Sequence, residues 1–189
     1  MPRLFTAIEI PENLRLRLSL LRGPLNGARW ADPENMHITL RFAGDLDERT
    51  ADEFAEELAA AVAAPFPLSI NGVGTFGGRE PRVLWAGVEK SPPLDALHRA
   101  NERAARAVGL EPEAHAFRPH VTLARMRGVR QRAVARFLEE HAGLRLEPFM
   151  VTRFLLMSAR PGSGGPPYGI EAEYPFEAAA AETWSAEPD

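Results

Sequence analysis

The four-residue phrase His37-Ile38-Thr39-Leu40 returns 83 residues later as His120-Val121-Thr122-Leu123. Each copy alternates polar and apolar residues, the period-two pattern of a half-buried strand. Side chains on a strand point to alternate faces, so His37 and Thr39 share one face while Ile38 and Leu40 anchor the other. His120 and Thr122 stand in the same way against Val121 and Leu123. A fold that accommodates both copies needs two equivalent strands, apolar faces in a core and imidazoles and hydroxyls left reachable.

The rest of the chain supplies elements for such a duplication. Leu4 to Ile10 reads as a strand, and Pro11 opens a helix reaching about Arg22. Asp47 caps a helix from Glu48 to about Ala64 that turns Phe54, Leu58 and Val62 inward. Strands follow near 67–76 and 82–89, then a helix over about 93–108 that Gly109 ends. After the second phrase come a helix over about 131–141 and strands near 149–159 and 168–174, the last two separated by the turn-rich loop Pro161 to Pro167. This is an α+β chain with an internal duplication. Residues 177–189, Ala/Glu-rich and closing on Glu187-Pro188-Asp189, read as an acidic, mobile tail.

Composition narrows the chemistry. With no cysteine in 189 residues, disulfides, thiolate nucleophiles and Cys-based zinc or iron–sulfur sites are excluded, and a reducing, cytoplasmic setting is permitted. No signal-peptide pattern precedes Glu9, and no apolar run approaches the ~18 residues of a membrane span. The net charge of −4 argues at first against a polyanion ligand. Six of the acidic residues, however, lie beyond residue 170, where there is no basic residue; residues 1–170 carry 22 basic against 20 acidic side chains, a balance of +2. Arg118, Arg125, Arg127, Arg130, Arg132 and Arg136 follow one another with no acidic residue between them. Part of that run is a solvated helix face, notably Arg132 and Arg136, and those nearest His120 are the better phosphate ligands.

An imidazole with a pKa near 6.5 serves as acid or base at neutral pH, and two can divide those roles across one phosphorus atom. The paired H-x-T-L phrases, the opening Arg3-Leu4-Phe5-Thr6-Ala7-Ile8-Glu9, Arg29-Trp30 ahead of Pro33-Glu34-Asn35-Met36-His37, and Phe117-Arg118-Pro119-His120 running on to Arg125 together resemble the 2H phosphoesterases. Among these the chain is most similar to the RNA 2′,3′-cyclic phosphodiesterases, also called 2′-5′ RNA ligases. The resemblance covers about residues 3–176. It implies a single domain over residues 1–176, built of two intertwined, pseudo-twofold lobes, each carrying one motif, with antiparallel sheets lining a central cleft and helices outside.

It also implies metal-independent opening of a 2′,3′-cyclic phosphate to a 2′-phosphate without a cofactor. By motif position His37 is then the proton donor to the leaving 3′ oxygen and His120 the acceptor that activates water. Thr39 and Thr122 bind phosphate oxygens and Arg125 assists, with Arg118 and Arg41 as further substrate contacts. Arg125 is odd in parity with His120, so the strand must bulge or end for it to reach the same cleft. The expected partners are RNA ends bearing the cyclic phosphate, transfer-RNA halves among them, met by a cytoplasmic monomer. Two other readings are a non-catalytic RNA-end binding module and an enzyme for small cyclic nucleotides.

Other features have plainer explanations. His98 and His141 lie on expected helices, and His115 falls in a turn with no repeat partner. Trp30, Phe42 and Phe5 are assigned to the core ahead of base stacking. Gly72 to Gly77 spells G-x-G-x-x-G, but Gly78 and Pro81 lead to a strand where a dinucleotide site needs a helix.

Overall fold

The computed structural model describes residues 3–61, 63–160 and 167–177. Val62, most of the Pro161 to Pro167 loop and nearly all of the acidic tail lie outside the described residues. The strands are β1 (Arg3–Glu9), β2 (Ala28–Trp30), β3 (His37–Asp45), β4 (Phe66–Leu68), β5 (Ile70–Phe76), β6 (Val83–Val88), β7 (His120–Met126), β8 (Phe149–Val151), β9 (Arg153–Ala159) and β10 (Tyr168–Pro175). The helices are α1 (Glu12–Ser19), α2 (Glu48–Ala59), α3 (Pro92–Ala107) and α4 (Gln131–His141), with a 3₁₀ turn at Pro33–Asn35.

One antiparallel sheet runs β10-β9-β1-β3-β7-β6-β5, with β2 added to β7, and β4 pairs with β8 in a small second sheet. The two motif strands are neighbours at its centre, joined at Ile38 and Val121. To either side of that junction the sheet is assembled from both ends of the chain. The C-terminal β9 pairs with the N-terminal β1, while β2, from the first third of the sequence, pairs with β7.

Apolar periodicity decides which face is covered. Ile38, Leu40, Val121 and Leu123 are buried in one core with Phe54 and Leu58 of α2, Leu94, Leu97 and Ala104 of α3, and Val134 and Phe137 of α4. Asp47 caps α2 by accepting from the Thr50 amide at 3.0 Å, and the Ser91 hydroxyl accepts from the Leu94 amide to start α3. The helices therefore stack on one side and leave the histidine face open.

Two glycines permit close approaches that this face needs. Gly74 lies beneath the Trp85 indole, where any Cβ would overlap the ring. Gly27, at φ 91°, brings the start of β2 against the Arg127 carbonyl, and its own carbonyl accepts from the Arg127 amide at 2.9 Å. The G-x-G-x-x-G phrase is thus strand β5 and the turn after it, with no helix to meet a pyrophosphate.

Candidate active site

The central junction sets His37 and Thr39 of β3 beside His120 and Thr122 of β7 on the open face. Each imidazole is held the same way: Nδ1 donates to the carbonyl two residues earlier, Asn35 at 2.8 Å for His37 and Arg118 at 2.7 Å for His120. A carbonyl can only accept, so Nδ1 carries the hydrogen and Nε2 is the atom that exchanges protons with a ligand. The carbonyl for His37 comes from Asn35, the last residue of the 3₁₀ turn, and that for His120 from Arg118, biased toward extended backbone by the Pro119 that follows it.

Aromatic rings brace each imidazole. Phe5 and Tyr168 flank His37 at centroid distances of 5.0 and 5.2 Å, Tyr168 edge-on at 86°. Phe76 meets His120 edge-on at 4.8 Å and Trp85 lies at 6.4 Å. Phe5, assigned to the core from sequence, is buried and also braces His37. Tyr168, Phe76 and Trp85 were not legible as site residues, because no local pattern marks a ring that reaches the cleft from β10, β5 or β6.

Burial pushes the pKa of both histidines below the ordinary 6.5, because it disfavours the imidazolium. For His37 the positive charges of His120 and Arg125 push in the same direction, while the Asn35 carbonyl partly opposes them. The Arg118 carbonyl opposes the shift at His120. Burial therefore favours neutral imidazoles, which gain a proton when an anion enters.

The parity of Arg125 is resolved by a bulge. β7 pairs Ala124 with Leu84 but Thr122 with Trp85, so Leu123 is an extra residue. Leu123 and Ala124 are both buried, and Arg125 returns to the face of His120 and Thr122. β3 bulges at the matching place: Thr39 pairs with Ala7 and Arg41 with Thr6, skipping Leu40.

That second bulge corrects the expectation for Arg41. Simple alternation puts 37, 39 and 41 on one face, but past the bulge Arg41 turns into the protein. There its Nε lies 2.6 Å from Glu102 Oε2 and its Nη1 3.6 Å from Glu113. The 2.6 Å approach is an ion contact rather than an aligned N–H···O bond, and the guanidinium is also capped by the Phe42 and Glu111 carbonyls. Its charge is spent inside the fold. Phe42, assigned to the core, instead takes the β3 place that Arg125 has in β7, and is 48% exposed. Trp30 does join the core, against Phe137.

A hollow of about 660 Å³ opens beside Thr39 and His120, walled by Phe76, Phe117, His115 and Arg118. Arg118 is thus at the cleft, and so is His115, which sequence had set aside. His98 is structural, its Nδ1 at 2.9 Å from the Leu40 carbonyl and its ring stacked on Phe117 at 3.9 Å. His141 packs on Phe137 at 4.3 Å. No helix is long and apolar enough to cross a membrane, and no three His, Asp or Glu side chains converge as a metal site among the described residues.

Comparison with known proteins follows the same lines. A family model described as the 2′-5′ RNA ligase superfamily matches residues 10–162. Curated relatives that match the chain, among them the following three, bear the name RNA 2′,3′-cyclic phosphodiesterase. The one from Aeropyrum pernix is 35% identical over 140 residues, 72% of this chain and 80% of its own. That from Methanothermobacter thermautotrophicus is 30% identical over 174 residues, 88% of this chain and 94% of its own. The Geobacillus stearothermophilus relative is 34% identical over 128 residues, 64% of this chain but only 41% of its own length. Among solved structures, Escherichia coli LigT complexed with 3′-AMP aligns with TM-score 0.73 at 22% identity, over 93% of this chain and 99% of that one. A structure from Thermus thermophilus aligns with TM-score 0.76 at 24% identity, over 93% and 98%.

Proposed function

The chain belongs to the 2′-5′ RNA ligase superfamily, and from that membership we propose that it hydrolyses the 2′,3′-cyclic phosphate at RNA ends to a 2′-phosphomonoester, using its two histidines as acid and base. The observation that carries this reading is the matched pair of imidazoles, each held through Nδ1 so that Nε2 is the reactive atom. His120 Nε2 takes a proton from water as the water oxygen bonds to phosphorus. The bond from phosphorus to O3′ breaks, and His37 Nε2 gives its proton to that oxygen. The product carries a 2′-phosphate and a free 3′ hydroxyl, and proton exchange with solvent resets the pair.

Burial favours neutral His37, so its role as donor requires that substrate restore the proton. A phosphodiester anion beside the imidazole does this, since an opposite charge at close range favours the protonated form. Thr39, Thr122 and Arg125 hold the non-bridging oxygens, with Arg118 at the edge of the hollow. Protonation at O3′ and charge neutralisation by arginine and hydroxyl groups replace what a metal ion supplies elsewhere. When an RNA 5′ hydroxyl takes the place of water, the same sequence of proton transfers makes a 2′-5′ linkage.

The test is incubation with a cyclic-phosphate-terminated oligoribonucleotide in excess EDTA, with the product followed by phosphorus NMR. Undiminished turnover to the 2′-phosphate alone is expected. Turnover abolished by EDTA rejects the metal-independent mechanism, a 3′-phosphate product rejects the assigned leaving group, and tight binding without turnover makes the protein a binding module.

A further inference from the structure

Arg29 was read from sequence only as part of the phrase before the first motif, and the mechanism above does not use it. In the fold it lies directly opposite Arg125 across the β2–β7 pair. Directly opposed residues project from the same face, with Cβ atoms about 4.5–5.5 Å apart. Arg125 is on the histidine face, so Arg29 is as well, and both side chains are exposed. Trp30, next in sequence, points the other way into the core against Phe137, which fixes the orientation of the strand.

The pairing also locates Arg29 along the cleft. β6 occupies one flank of β7, pairing with Val121 through Ala86 and with Arg125 through Val83. β3 and β2 must therefore share the other flank, β3 at Val121 and β2 at Arg125. β2 continues the line of β3 beyond His37, and with Leu123 bulged out Arg29 is two ladder steps from it, about 7 Å along that line at ~3.3 Å per step. Gly27 holds this short strand in place through its close approach to Arg127.

Two like charges opposed across a ladder destabilise a sheet by a few tenths of a kcal/mol or more unless something neutralises them. Neither Arg29 nor Arg125 has a carboxylate within ion-pair distance among the described residues. The opposite wing of the cleft, walled by Phe76, Phe117 and Leu40, holds a single arginine, Arg118, together with Glu113 and His115. The guanidinium pair is thus an anion site one step away from the reacting phosphorus, on a face where a polynucleotide brings further phosphates.

We propose that Arg29 binds a backbone phosphate of the RNA on the 5′ side of the cyclic phosphate, acting beside Arg125, and so makes the enzyme prefer oligonucleotide ends to cyclic mononucleotides. This rests on the phosphodiesterase reading above and specifies its substrate class. A nucleoside 2′,3′-cyclic phosphate with a free 5′ hydroxyl lacks the phosphate that Arg29 would hold.

The experiment compares wild type, Arg29→Ala and Arg29→Lys on a cyclic-phosphate-terminated oligonucleotide and on cytidine 2′,3′-cyclic phosphate, over a range of salt. In Arg29→Ala the oligonucleotide-to-mononucleotide ratio of kcat/KM falls about tenfold, mainly through KM for the oligonucleotide. The slope of log kcat/KM against log salt for the oligonucleotide becomes shallower by about 1, as for loss of one phosphate contact. Arg29→Lys keeps the slope and recovers part of the ratio, because a lysine retains the charge but not the two-pronged contact. An unchanged ratio and slope, or equal loss on both substrates, overturns the role of Arg29 while leaving the phosphodiesterase reading intact. A wild type inactive on both substrates overturns that reading and this inference with it.

Discussion

Replacing either His37 or His120 by alanine is expected to lower kcat/KM for a cyclic-phosphate-terminated oligonucleotide by about 10²–10⁴-fold, the usual worth of a positioned general acid or base. Removing both histidines costs little more than removing one, since a proton relay works as a unit. The two variants differ in what rescues them. A substrate with sulfur in place of the 3′ oxygen has a leaving group that needs no proton, so it restores His37→Ala and leaves His120→Ala slow. Rescue of His120→Ala instead would exchange the two roles. Loss of less than about tenfold in either variant would remove histidine catalysis from the account.

Arg41→Ala is expected to act on the fold and spare the chemistry. It strips Glu102 of the charge 2.6 Å away, and Arg41 keeps only 7% of its side-chain surface in solvent. Breaking a buried ion pair by deleting one partner costs about 3–5 kcal/mol. Glu102 retains 20% exposure and gains some hydration when left alone, so a cost of about 2–4 kcal/mol is expected. At ~2–4 °C per kcal/mol for a chain of this size, the melting temperature falls on the order of 10 °C. Arg41→Met combined with Glu102→Gln recovers much of the loss, because the stranded carboxylate is gone. At a temperature where the variant is folded, its kcat/KM stays within a few-fold of wild type. A fall in kcat/KM comparable to that of the histidine variants, with melting unchanged, would return Arg41 to the substrate.

The reading of Arg41 shows where sequence stops informing this site. The H-x-T-L phrases are visible because strand alternation is local and occurs twice. Their adjacency, joined at Ile38 and Val121, is a long-range pairing that only the assembled sheet shows. The bulges at Leu40 and Leu123 are not local, since each exists only relative to a partner strand, Thr6–Ala7 for one and Leu84–Trp85 for the other. The same one-residue insertion that carries Arg125 into the cleft carries Arg41 out of it. The need for it was evident at Arg125, whose parity was wrong, and hidden at Arg41, whose parity looked right.

β2 was invisible for a related reason. Three residues between Gly27 and Pro33 have no periodicity to read, and they become a strand only by pairing with β7. Elements with a strong repeat were legible close to their ends, as in α4 at Gln131–His141 and α3 at Pro92–Ala107. α1 stops at Ser19, short of the apolar stretch at Leu20 and Leu21, where the chain turns toward Gly23. The aromatic supports of the histidines come from β1, β5, β6 and β10, and only the completed sheet brings them to the imidazoles.

The measurement that bears most directly on paired-histidine catalysis is the pH dependence of kcat/KM for wild type on the oligonucleotide. One imidazole must be protonated and the other neutral, and the macroscopic pKa values belong to the pair. Both are pushed below 6.5 in the free enzyme. The profile is therefore expected to be a bell centred on the acid side of pH 6.5, falling tenfold per pH unit on each limb. A profile that is flat between pH 4 and 8, or that rises through neutrality to a plateau, would contradict it.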